Sequence, residues 1–140
     1  MRYKLSLMIV GLLVMATLGA CQLAPRGEQL VTVTMDEWVL HPSVAAVSPG
    51  KVTFEVVNQG KTGHELVILK TNRAPNDLAM RTDGVKIDEA ASGQNVGEIE
   101  DIEAGETKTA SFELTAGRYV LTCNEPEHYK QGMVAVLEVR

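Results

Sequence analysis

From Leu30 onward, apolar and polar positions alternate with a period of two in short runs, Val31, Val33 and Met35 first and Val52, Phe54 and Val56 next. That spacing places one face of an extended strand on a core and the other in water. Residues 64–70, 108–114, 119–123 and 133–139 are apolar enough to be further strands. The breaks Ser48-Pro49-Gly50, Asn58-Gln59-Gly60, Ala104-Gly105 and Ala116-Gly117 supply the preset and positive φ angles at which a chain reverses. Together these predict an all-β sandwich. Residues 71–107 carry a weaker pattern, in which one short helix or an irregular insertion is expected: Asn76 caps a brief helix through Asp77, Leu78 and Met80, and Val96, Ile99 and Ile102 form an irregular edge strand. With 140 residues the chain has room for one ordinary domain.

The first residues obey a different pattern. Arg2 and Lys4 precede an uncharged stretch, 5–18, that ends in the small residues Gly19 and Ala20, the layout of a signal peptide. That stretch is about 14 residues, whereas a helix crossing the hydrocarbon core needs roughly 20. Leu18-Gly19-Ala20-Cys21 resembles the lipobox of bacterial lipoproteins, which implies cleavage before Cys21 and lipidation of its sulfur. Several acyl chains on one residue anchor a protein stably. Residues 22–29, with Pro25 and Gly27, read as a tether reaching about 28 Å when fully extended. The expected organisation is therefore a signal peptide at 1–20, a tether at 21–29 and a folded domain at 30–140, exported and held at the envelope by lipid on Cys21.

Charge narrows the partners. Loss of Arg2 and Lys4 leaves 11 basic against 18 acidic residues, a net charge of −7 with no Lys/Arg cluster, which argues against nucleic acid. A lipidated Cys21 leaves Cys123 as the lone thiol of a domain exported to a disulfide-forming compartment, and such a thiol calls for a role.

One role lies in the run Cys123-Asn-Glu-Pro-Glu-His128-Tyr-Lys-Gln-Gly-Met133, where a thiol, an imidazole and a thioether recur at five-residue intervals in a loop between strands. Pro126 and Gly132 help that loop turn back, and His64 opens an earlier strand just after the Gly60-Lys-Thr-Gly63 turn. A thiolate with two imidazoles and a thioether suits copper, since soft sulfur favours Cu(I) while imidazole accepts Cu(II). Zinc is the rival ion, but has little use for a thioether. Each residue alone has a plainer reading: His64 as a strand-end histidine, Met133 as core, Cys123 as a small buried hydrophobe, His128 as surface.

In order, Gly50-Lys-Val-Thr-Phe54, Asn58-Gln-Gly60, His64-Glu-Leu-Val67, Gly117-x-Tyr119 and the Cys-x4-His-x4-Met run resemble the cupredoxin family, small Greek-key β-barrel proteins with one mononuclear type 1 copper ion. The resemblance covers about residues 30–140. It implies that His64, Cys123 and His128 are equatorial ligands and Met133 a weak axial one, with Tyr119 near the ligand strand. Two positions depart from the family pattern: Glu127 stands where relatives with this loop commonly have Gly, and Glu65 where many have an Asn that ties the ligand segments together, a role for which Asn124 is a substitute candidate.

The implied function is one-electron transfer by a monomer to a redox protein partner of the envelope, the alternative being a copper carrier, chaperone or store. His128 is expected nearest solvent, with Glu125 and Glu127 making an acidic rim that suits a basic docking face. Met35, Met80 and Trp38 are expected to be packing residues, and His41 has no assignment. With only His41 left over, no second multi-histidine centre can be built, and no Ser-His-Asp set or phosphate loop is visible, so an enzyme is not expected.

Overall fold

The computed structural model describes residues 27–140, so the expected signal peptide and Cys21 lie outside the described residues. Among the described residues, nine strands, β1 (Gln29–Asp36), β2 (Val39–Pro42), β3 (Ala46–Val47), β4 (Gly50–Asn58), β5 (His64–Lys70), β6 (Gln94–Ile102), β7 (Thr107–Leu114), β8 (Gly117–Thr122) and β9 (Val134–Val139), are accompanied by two four-residue helices, α1 (Glu89–Ser92) and α2 (His128–Gln131). The strands form two facing sheets, β2-β1-β4-β7 and β3-β9-β8-β5-β6, between which the chain passes repeatedly, giving the all-β sandwich that the sequence predicts.

The alternating residues do what their period requires. Val31, Val33 and Met35 of β1 and Val52, Phe54 and Val56 of β4 all point inward and are buried against the opposite sheet. Gly97 lets β6 approach this core, because a Cβ there would collide with the ring of Phe112. β1 runs parallel to β4 with Met35 opposite Asn58, so the turns following both strands leave the sheet at one end. Gln59 N–H seals that junction by donating to Met35 O at 2.8 Å.

The continuous apolar runs have a different cause. In β5 both faces are buried: Leu66 and Ile68 face the sandwich interior, while Val67 and Leu69 join Val120 of β8 under a second cluster capped by Leu78 and Ile87. The insertion 71–93 is thus a cover for the outer face of the sheet, which explains why that sheet reads as unbroken hydrophobic sequence.

Within this insertion the sequence expectation is partly corrected. Asn76 itself lies in a turn, closed by Asp77 N–H donating to Ala74 O at 3.0 Å, and the irregular chain after it ends in an isolated bridge between Met80 and Ile87. The brief helix sits later, at α1, where Asp88 caps it by accepting from Ala91 N–H at 3.0 Å. Leu78 and Met80 are drawn instead onto the Val67/Leu69 cluster, and tertiary burial overrides the local capping signal. The irregular edge strand does form, as β6, with register shifts at two places where it meets β5.

Candidate metal centre

His64 is the first residue of β5 and follows the turn 59–63, to which the Asn58 side chain is bonded. Asn58, buried at the end of β4, donates from Nδ2 to Thr62 O and to Ile102 O, both at 2.8 Å, and accepts from Gly60 N–H at 2.9 Å. His64 is thereby delivered, buried, to the end of the sandwich where β8 gives way to the 123–133 loop.

That loop closes on itself. Cys123 N–H donates to Met133 O at 3.1 Å, Thr122 Oγ1 donates to the same oxygen at 3.0 Å, and Met133 N–H donates to His128 O at 3.3 Å. The loop reverses through α2, which the sequence did not foretell. Glu127 begins that reversal with φ 70° and Gly132 ends it with φ 112°. Glu127 therefore occupies a left-handed position that glycine takes without steric cost.

Three donor atoms converge as a result. His64 Nδ1 lies 3.2 Å from His128 Nδ1, and Cys123 Sγ lies 3.3 Å from His128 Nδ1 and 3.9 Å from His64 Nδ1. Cys123 and Met133 are fully buried and share the main core, so the thioether side chain enters the sandwich at the base of the loop. His64, Cys123 and His128 thus meet at one end of the sandwich, and the Met133 backbone, bonded to Cys123 and His128, lies beside them. Among the described residues, a second group of three potential donors is Glu65, Glu98 and Glu100, without sulfur or imidazole.

The electrostatics hold this cluster neutral. Burial, reinforced by the neighbouring His128, lowers the pKa of His64, and burial likewise lowers that of His128, so both imidazoles keep free lone pairs near neutral pH. Burial pushes the Cys123 thiol up to about 11, against the pull of the Glu65 and Glu125 backbone N–H groups. A thiol so placed ionises when a cation displaces its proton, and metal binding is then coupled to proton release. Two neutral imidazoles and one displaceable thiol proton, all within bonding reach of a common point, fit a small thiophilic cation.

The neighbours of the cluster are partly unexpected. Glu65 N–H donates to Cys123 Sγ at 3.5 Å, while its carboxyl, raised to about 7 chiefly by burial and then by Glu125, sits among the Glu98 and Glu100 carboxylates. Asn124 does not bridge to the His64 segment: its Oδ1 accepts from Ile87 N–H at 2.7 Å and its Nδ2 donates to Glu89 at 2.6 Å, fastening the loop to the insertion. Tyr119 lies near the other end of β8, where its hydroxyl donates to Thr115 O at 2.8 Å and accepts from Thr115 N–H at 3.1 Å, so it shapes a turn remote from the cluster.

Two residues at the centre were not expected there. Both come from the β1–β2 turn, which the parallel pairing of β1 with β4 brings to this end. Glu37 Oε1 lies 3.9 Å from His64 Nε2 and accepts from Lys61 N–H and from both donors of Thr62. Those bonds, the Lys61 N–H foremost, hold its carboxyl down to about 2. Trp38, expected in the core, is 37% exposed and packs on His128 with ring centroids 4.9 Å apart. Neither has a periodic or motif signal; only the strand pairing places them.

The outer rim is less acidic than its sequence suggests. Lys86 pairs with Glu125 at 3.8 Å and Lys130 with Glu127 at 3.0 Å, so each glutamate is matched by a nearby cation.

Comparison with known proteins agrees with this fold. A family model described as a cupredoxin-like domain matches residues 7–136, and the chain belongs to that family. Among solved structures it is similar to an auracyanin from the photosynthetic bacterium Roseiflexus castenholzii, at 18% identity and TM-score 0.56 over 81% of this chain and 96% of that one. It is also similar to auracyanin A, a "blue" copper protein from Chloroflexus aurantiacus, at 19% identity and TM-score 0.58 over 81% and 100%. Rusticyanin from Thiobacillus ferrooxidans aligns at 18% identity and TM-score 0.53 over 81% and 77%. At these identities the likeness is one of fold. No curated protein sequence matches the chain.

Proposed function

We propose that this protein is a one-electron carrier that binds a single copper ion through His64 Nδ1, Cys123 Sγ and His128 Nδ1, with Met133 as a weak fourth ligand. The observation that carries the reading is the convergence of one thiol and two imidazole nitrogens within 3.9 Å of one another, all on buried residues or at their edge, in a chain of the cupredoxin-like family. Bound copper would supply the Cu(I)/Cu(II) couple. The protein's part is to keep both imidazoles neutral, to exclude water from the sulfur, and to fix the donors on two β-strands and a loop that closes on itself, so that little rearrangement accompanies a change of charge. His128, at the rim beside the partly exposed Trp38, is the ligand through which a partner protein would exchange the electron.

The signal-like segment at 1–20, the lipobox-like Cys21 and the short tether support an exported protein held by lipid on the envelope, with residues 30–140 as its working domain. Among the described residues no helix is long and apolar enough to cross a membrane. A carrier or store that hands copper on is the other use of such ligands. Deep burial of Cys123 and Met133 favours retention of the ion over transfer. No catalytic step is assigned to the protein.

The test is to add one equivalent of Cu(II) to the metal-free protein. The expected result is an intense visible thiolate-to-copper absorption that is absent in Cys123→Ser, followed by fast electron exchange without loss of the ion. A colourless complex, or rapid release of Cu(I) to an acceptor, would overturn the electron-carrier reading.

A further inference from the structure

We propose that Glu37 is a positioning residue that fixes the proton of neutral His64 on Nε2, leaving the Nδ1 lone pair bare and aimed at Cys123 and His128. That this lone pair then meets copper rests on the function proposed above; the placement of the proton does not.

The two nitrogens of His64 face opposite worlds. Nδ1 looks into the donor cluster, 3.2 Å from His128 Nδ1. Nε2 is buried without a hydrogen-bond partner, and the charged atom that faces it is Glu37 Oε1 at 3.9 Å. A carboxylate has only acceptor capacity, so a lone pair on Nε2 would point at negative charge, whereas an N–H there is attracted, directly or through one water. The opposite tautomer gains little in return. When Nδ1 of His64 is bare it can accept a proton shared from His128 Nδ1 or the Cys123 thiol, so the cluster stays bonded either way.

Glu37 is itself rigidly held. Its Oε1 accepts from Lys61 N–H at 2.7 Å and from Thr62 N–H and Oγ1 at 2.9 Å each. The turn fits around that oxygen: a Cβ on Gly60 would lie 2.6 Å from it, so Gly60 leaves the space the carboxylate fills. The same group thus shapes the turn leading into His64 and orients the ring that follows, in the manner of a carboxylate behind a metal-ligating histidine.

The test is ¹⁵N NMR of the histidine rings in the metal-free protein at about pH 8, above the ordinary histidine range. Two-bond proton–nitrogen correlations should show the Nε2–H form of His64 in excess on the order of tenfold, as a charge-assisted contact implies. The excess should shrink in Glu37→Gln, which keeps an acceptor for the turn but not the charge, and vanish in Glu37→Ala. Thr62→Val, which weakens the turn yet retains the carboxylate, should preserve it. An Nδ1–H form in the unaltered protein, an unchanged ratio in Glu37→Gln, or equal loss in Thr62→Val would overturn the proposal. If Glu37→Ala fails to fold, the unaltered protein and Glu37→Gln decide. A missing thiolate-to-copper band would refute the copper reading and leave this measurement standing.

Discussion

The rings of Trp38 and His128 meet edge to face, with centroids 4.9 Å apart and planes inclined by 64°. Through Trp38 and Glu37 the β1–β2 turn touches both histidines of the centre, the first at its outer rim and the second from behind. A turn with no donor atom of its own in the cluster therefore contributes two of its closest neighbours.

Trp38 is the single tryptophan of the chain, so its emission reports the centre. One equivalent of Cu(II) should quench that fluorescence strongly, and Cys123→Ser should lose the stoichiometric quenching. Emission indifferent to Cu(II) in the unaltered protein would place the ion away from His128.

Glu65 sets a pH dependence. Its carboxyl is raised from 4.5 to about 7, first by burial, so the folded state binds a proton that the unfolded chain has released. The stability it contributes is complete below about 4.5 and is lost as pH rises through about 7. In the metal-free protein, Glu65→Gln should therefore raise stability above pH 7 by up to about 3 kcal/mol and change little near pH 4. Thermal unfolding across pH measures this, and a gain confined to acid would contradict the sign.

Met133 is fully buried, and Leu conserves most of its volume. Met133→Leu should cost less than about 1.5 kcal/mol in denaturant unfolding. Because the thiolate and both imidazoles remain, the visible band should persist in this variant. Complete loss of the band would mean that Met133 is no weak ligand.

The fold was legible in the strands whose two faces differ. Val31, Val33 and Met35, or Val52, Phe54 and Val56, state their own secondary structure because one face meets the core and the other water. The insertion was not legible in this way. Leu78 and Ile87 are placed by the outer face of β5 and β8, a surface that exists only after the sheet has formed, and the cap-like Asn76 has no helix to cap. Asn124 was likewise unreadable, since its partners Ile87 and Glu89 lie in that same insertion.

By itself the sequence determined the kinds of atoms available and their local order: a lone thiol, an imidazole and a thioether at five-residue intervals, and a histidine opening a strand after a glycine-bounded turn. Only the tertiary structure decided that His64 Nδ1 comes within 3.9 Å of Cys123 Sγ, and that Glu37 and Trp38 stand behind and beside the two histidines. The reason is the parallel pairing of β1 with β4 and the antiparallel pairing of β5 with β8, which bring distant turns to one end of the barrel. Spacing along a chain specifies what a loop can offer; strand pairing specifies what it meets.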